Sequence, residues 1–117
     1  CFKIVNFVQY NLLIKENFMI ELNSSNFEEH TKDGLVLVDF YAPWCGPCRA
    51  LSPIVEKLQN IKVFKVNIDD SPELANEFKV SMIPFLVFLR NGVEVESILG
   101  VQSQNALQER IDSLNAN

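Results

Sequence analysis

Only three cysteines occur in the 117 residues, and two of them stand in one short pair. A small secreted domain stapled by disulfides needs more of them, at even count, so this chain is not built on a disulfide scaffold. The usage instead points to a reducing compartment in which the pair is worked. Positive charge is also scarce: 10 Lys and Arg against 15 Asp and Glu give a net charge of −5. This balance argues against a nucleic-acid or anionic-membrane surface, and no basic cluster or aromatic–basic interleaving contradicts it. No linker, repeat or low-complexity segment breaks the chain from Met19 onward. What remains is ordinary for one globular domain with a real core: 48% hydrophobic and 21% charged residues.

The segment before Met19 reads differently. Phe2 to Ile14 is fairly apolar, but Lys3, Asn6, Gln9 and Asn11 interrupt it, and it is too short and polar to span a bilayer. Lys15-Glu16-Asn17 follows with no small-residue cleavage site, which argues against a secretory signal. A lipoprotein beginning at its cysteine would continue in a flexible polar tether, and none follows Cys1. Residues 1–18 are therefore expected to be an extension outside the native domain, with Cys1 a bystander, and Met19-Ile20-Glu21-Leu22 looks like a natural start.

From there the pattern alternates. Met19 to Leu22 reads as a short edge strand, and Ser25-Asn26-Phe27-Glu28 as a capping box opening a short helix that ends before Asp33-Gly34. Leu35 to Ala42 is apolar at almost every step, the mark of a central strand covered on both faces. A helix is expected from near Cys45 to about Gln59, kinked at Pro53. Ile61 to Ile68 is a further strand, Ser71-Pro72 starts a short helix to Phe78, and Phe85 to Arg90 is a strand. Asn91-Gly92 makes a hairpin turn because both residues tolerate positive φ. Val93 to Leu99 returns antiparallel, and Ser103 to Leu114 closes the fold with Ala106, Leu107, Ile111 and Leu114 inward. This order implies a mixed α/β sheet with helices on both faces, and a reactive site at the carboxyl end of a central strand.

Cys45-Gly46-Pro47-Cys48 falls at that end. A thiol must ionise to attack a disulfide, and unpaired amides at a helix start favour the thiolate. Cys45, nearest that positive end and projecting outward, is the expected attacker. Cys48 lies one turn on, where it can resolve the mixed disulfide. Gly46 permits close backbone approach, and Pro47 stiffens the turn while withdrawing a donor. Asp39 interrupts the apolar strand, where a buried carboxylate is costly and its pKa rises; it is a candidate proton acceptor for Cys48, with Lys65 on the next strand as a possible partner. The alternative is an Asp facing a wet sheet end. Trp44 either fills core or shapes the contact surface of the thiols. Met82 and Phe85 are core or groove lining. Pro84 is trans at a strand edge unless something beyond the residues themselves makes it cis. His30 is expected to be exposed, and Phe18, Phe27, Phe40, Phe64, Phe78 and Phe88 to pack in or near the core.

Trp44-Cys45-Gly46-Pro47-Cys48 closely resembles the thioredoxin family, and the match runs from about Met19 to the C-terminus. Val38-Asp39-Phe40-Tyr41-Ala42-Pro43, Pro53, Val66-Asn67-Ile68-Asp69, Ile83-Pro84, Asn91-Gly92 and Gly100 carry it in order. The resemblance implies a thioredoxin fold over residues 19–117: a mixed central sheet of about five strands flanked by about four helices. It implies a cytoplasmic, monomeric protein-disulfide reductase that binds no cofactor or metal and is recharged from NADPH by a thioredoxin reductase. Cys45 would be the nucleophile, Cys48 the resolving thiol and Asp39 the acid–base group, with Lys65, Gly46 and Pro47 in support. Pro84 would be cis and face the dithiol, Ile83 would offer backbone hydrogen bonds to an extended disulfide substrate, and Trp44, Gly100 and Val101 would flank the groove. Two residues depart from the family pattern: Phe85 stands where threonine is common, and Tyr41 where tryptophan is common.

Three other readings stand beside this one. An oxidant or isomerase would run the chemistry in reverse, although Gly46-Pro47 lacks the histidine that destabilises a disulfide in such variants. An interaction module would leave the thiols incidental. A metal site could draw on Cys45, Cys48, Cys1 and His30, but paired zinc knuckles are missing.

Overall fold

The apolar run Leu35 to Tyr41 forms β1, the strand on which the rest of the fold is assembled. A computed structural model of the chain describes residues 19–116. Besides β1 (Leu35–Tyr41) the strands are β2 (Lys62–Asn67), β3 (Phe85–Arg90) and β4 (Val93–Leu99). The helices are α1 (Phe27–Thr31), α2 (Gly46–Glu56), α3 (Pro72–Glu77) and α4 (Gln104–Asn115). The sheet order is β2-β1-β3-β4, with β1 parallel to β2 and antiparallel to β3, and β3 antiparallel to β4.

Period-two alternation divides β1 between two cores. Val36, Val38 and Phe40 join Phe64, Val66, Val87 and Leu74 on one face. Leu37 meets Leu51 and Val55 of α2, Phe88 of β3, and Leu107 and Ile111 of α4 on the other. Each such side chain, fully removed from water, contributes roughly 1.5–3 kcal/mol. Asp39 lies two places on from Leu37 and therefore shares its α2-facing side.

The expected architecture is present, with differences of local origin. The first of about five expected strands is reduced to a single parallel bridge, Glu21 to Lys65, leaving four strands among the described residues. Leu22 donates its amide to the Lys65 carbonyl (2.8 Å), and Lys65 donates to the Ile20 carbonyl (3.2 Å), before the chain turns away. The capping box does not form. Asn23 Oδ1 accepts from the amides of Ser25 (2.9 Å) and Asn26 (3.2 Å), so a side chain-closed turn takes the donors first. Helix α2 passes through Pro53 and stops at Glu56, short of Gln59.

In α4, Ala106 is exposed rather than inward; its amide is capped by Ser103 Oγ at 3.1 Å, and Leu107 and Ile111 carry the burial. His30 is half-buried with its ring 5.3 Å from that of Phe64, so it is not the exposed residue expected. Phe18, Cys1 and the rest of 1–18 lie outside the described residues. Asn91 and Gly92 both take positive φ, 52° and 84°, as the hairpin turn requires.

Candidate active site: a dithiol at a strand–helix junction

β1 delivers the chain to buried Ala42, whose carbonyl accepts the Cys45 amide at 3.1 Å. Cys45 then serves as the N-cap of α2 with extended backbone (φ −89°, ψ 113°). The N-cap place is commonly filled by Ser, Thr, Asp or Asn, whose oxygen accepts a free helical amide. Here a sulfur does so: the Cys48 amide donates to Cys45 Sγ at 3.2 Å. Pro47 sits in the first turn and has no amide to offer, so the donor set converging on this sulfur is small and specific. Arg49 closes the turn from behind, its Nη1 donating to the Pro43 carbonyl at 2.8 Å.

Cys45 and Cys48 are joined in a disulfide, their Cα atoms 5.2 Å apart. Both residues are nearly covered in this oxidised form, at 6% and 3% exposure, so Cys45 does not project outward as expected. Tyr41, Ile68 and Ile83 pack against the small cluster made by Ala42 and the two cysteines. A Cβ added at Gly46 would meet only Arg49 Nη2, at 3.9 Å, so nothing inside the protein demands glycine there.

The Ile83–Pro84 peptide is cis, and Pro84 is buried. Its carbonyl accepts the amide of Gly100 at 2.9 Å, which brings the residues before β3 beside those after β4. Gly100 has φ +92°, a region that L side chains rarely adopt, so this junction needs glycine for its backbone. Met82, Val101 and Trp44 are exposed at 61%, 45% and 67%. That exposure removes the core-filler alternatives for Trp44 and Met82. Phe85 is different: half-buried, it packs against the Phe40 core with ring centroids 6.4 Å apart.

Asp39 is 2% exposed, and its Oδ1 has no hydrogen-bond partner. Loss of water is the dominant influence and pushes its pKa up to about 7, against an opposing pull from the Lys65 ammonium. The wet-sheet-end alternative is thereby excluded. Lys65 stands directly across from Asp39 in the β1–β2 register, yet no direct ion pair joins them. Its Nζ lies 5.1 Å from the centroid of the Tyr41 ring instead.

Two contacts escaped sequence reasoning. Trp44 Nε1 donates to Asp69 Oδ2 at 2.9 Å, fixing an exposed indole beside the thiols. Asp69 is itself held through its amide, which donates to buried Asn67 Oδ1 at 2.9 Å. Tyr41 Oη donates to Glu21 Oε1 at 2.7 Å. The only signal for either was a polar residue two places after β2, or one between Ile20 and Leu22, which is too common to single out.

Among the described residues no three His, Cys, Asp or Glu side chains come together as a metal site, and no helix is long and apolar enough to cross a membrane. A surface depression lies at the opposite end of β1, lined by Asp33, Glu56 and Lys62 among others, with no cysteine or histidine in it.

Residues 18–113 match the family model for thioredoxin. A thioredoxin of Listeria monocytogenes is 39% identical over 97 residues, spanning 79% of this chain and 94% of the relative. That of Bacillus subtilis is 35% identical over 99 residues, spanning 80% and 95%. Among solved structures, oxidised mitochondrial thioredoxin 3 of Saccharomyces cerevisiae superposes with a TM-score of 0.76 at 30% identity, covering 85% of this chain and 98% of that one. A mutant thioredoxin from Halobacterium salinarum NRC-1 gives 0.75 at 33% identity, covering 80% and 88%. A dithiol closed at the end of a central strand, a cis proline before β3 and this breadth of similarity lead to one conclusion: the chain belongs to the thioredoxin family and is a thiol–disulfide oxidoreductase.

Proposed function

We propose that the protein is a general protein-disulfide reductase of the cytoplasm, working as a monomer through the Cys45–Cys48 pair. The observation that carries this reading is the sulfur at the N-cap of α2, with the Cys48 amide directed onto it. In the reduced protein that amide and the helix start favour the Cys45 thiolate. The thiolate attacks one sulfur of a substrate disulfide; a Cys45–substrate bond forms, and the second substrate sulfur leaves as a thiolate that takes up a proton. Asp39 then accepts the Cys48 proton, and the resulting thiolate attacks Cys45 Sγ. The substrate's remaining sulfur departs and the Cys45–Cys48 disulfide closes. Two electrons have passed from the dithiol to the substrate.

Several features support the remaining roles. A carboxyl poised near pH 7 is matched to taking a proton under neutral conditions. Ile83, Pro84 and Gly100 form a narrow backbone ledge beside the cysteines, suited to an extended substrate segment. Exposed Trp44 and Val101 offer that segment apolar contact, and Lys65 offsets part of the charge that Asp39 carries before it accepts the proton. Residues 19–117 form the working domain, and 1–18 an extension outside it. No cofactor is held; a thioredoxin reductase supplies electrons from NADPH, so that the protein serves electron transport and cell redox homeostasis.

The test is turnover. With NADPH and a thioredoxin reductase, the chain is expected to reduce insulin disulfides catalytically, both with and without residues 1–18. Absence of NADPH-dependent turnover by either form would refute the reading.

A further inference from the structure

Tyr41 closes β1, and its hydroxyl is tied to a carboxylate from the start of the described chain. It donates to Glu21 Oε1 at 2.7 Å, and Glu21 is pinned because its own residue forms the bridge to Lys65. The Lys65 ammonium lies over the face of the same ring, 5.1 Å from its centroid. A phenol donating to a carboxylate is electron-rich, which strengthens its attraction for a cation on the ring face. Lys65 is also the register partner of Asp39, whose Oδ1 stays without a hydrogen bond while no ion pair connects the two side chains. A flexible lysine opposite a buried, unpartnered carboxylate would ordinarily close on it. Here the aromatic face competes for it.

We infer that Tyr41, clamped by Glu21, is a positioning residue that parks the Lys65 ammonium over its ring and keeps it out of direct pairing with Asp39. The consequence is chemical. A paired carboxylate would stay ionised and be a poor proton acceptor, whereas a carboxyl deprived of its counter-ion holds its proton more tightly. The inference rests on the proposed acid–base role of Asp39 for its functional meaning, but the contact itself is tested without activity. The charged group that bears on Asp39 from its neighbours is Lys65 on β2, held over the Tyr41 ring with Glu21 behind it, while Asp70 after β2 acts on Tyr41; the β3 partner of Asp39, Leu86, is apolar.

The experiment is a titration of the Asp39 side-chain carboxyl by carbon-13 NMR in the oxidised protein, across a double-mutant cycle. Tyr41→Leu is expected to release Lys65 to the carboxylate and lower the Asp39 midpoint by about one pH unit or more. Tyr41→Phe, which keeps the ring but loses the Glu21 clamp, is expected to shift it in the same direction by less. In a Lys65→Met background, Tyr41→Leu is expected to leave the midpoint where Lys65→Met alone puts it. An unchanged or raised midpoint in Tyr41→Leu, or a shift of equal size with and without Lys65, would overturn the inference. Should Tyr41→Leu fail to fold, Tyr41→Phe and Glu21→Gln carry the same decision, because neither removes packing volume. Loss of insulin reduction with the titration pattern intact would count against the reductase reading alone.

Discussion

Cys48→Ser is expected to arrest the protein half-way through its cycle, covalently joined to its substrates through Cys45. The bond between Cys45 Sγ and a substrate sulfur forms as in the wild type, since the attacking group and its amide donor are untouched. What disappears is the second sulfur, one helical turn along, whose attack would release the product. Non-reducing electrophoresis should show mixed disulfides that collapse on adding dithiothreitol. Cys45→Ser should show none, and its reduction rate should fall on the order of 10³-fold or more, to that of background thiol exchange. Mixed disulfides through Cys48 in the Cys45→Ser protein would reverse the assignment of attacker and resolver. The two residues are both nearly buried in the disulfide, so the asymmetry rests on helix position and not on exposure.

Asp39→Asn is expected to make the oxidised protein more stable and less active, and the stability gain should depend on pH in a definite direction. The native carboxyl releases its proton near pH 7, whereas its ordinary value is 3.8. Between those values the native state binds more protons than the unfolded one, so stability falls as pH rises and levels off above the native value. Below the unfolded value the group costs nothing by this route. A difference of about three pH units corresponds to about 4 kcal/mol at pH 8. The amide that replaces the carboxyl must find partners in the same pocket, at about 1–3 kcal/mol. The net gain should therefore be on the order of 1–3 kcal/mol at pH 8 and absent, or reversed, near pH 4. Urea unfolding at both pH values measures it. Turnover should drop roughly 10²-fold through slower release of the mixed disulfide. A gain that is equal at both pH values would mean that the carboxylate is not the source of the penalty.

The central strand and its dithiol were legible because two strong periodicities meet there. Leu35 to Tyr41 is apolar on both faces and can only be an interior strand, and Cys45 begins a helical pattern directly after it. Asp39 was legible for the same reason: a single acid in such a run has nowhere wet to go. The cis peptide before Phe85 was not readable from the residues and came only with the family resemblance. Where two local devices compete, the sequence could not say which wins. Asn23 takes the amides that Ser25-x-x-Glu28 would have organised, because its side chain closes a turn before the helix begins. Ala106 fell on the wrong side because a capped first turn faces outward, leaving Leu107 and Ile111 to reach the core.

The contacts of Trp44 with Asp69 and of Tyr41 with Glu21 lie further from view. They join residues 25 and 20 positions apart. Each depends on where a loop places one carboxylate, and no periodicity encodes that. Such contacts adjust a site that is already specified. The Glu21 clamp in particular needs the phenol of Tyr41.

The most direct measurement is the pH dependence of alkylation of the two thiols in the fully reduced protein, followed by mass spectrometry. Cys45 should react with iodoacetamide at a rate half-maximal well below the pH of about 8.5 typical of a free cysteine, and Cys48 far more slowly at every pH below that. If neither sulfur reacts faster near neutrality than an ordinary thiol, the Cys48 amide directed onto Cys45 at the start of α2 has no chemical consequence and the account fails.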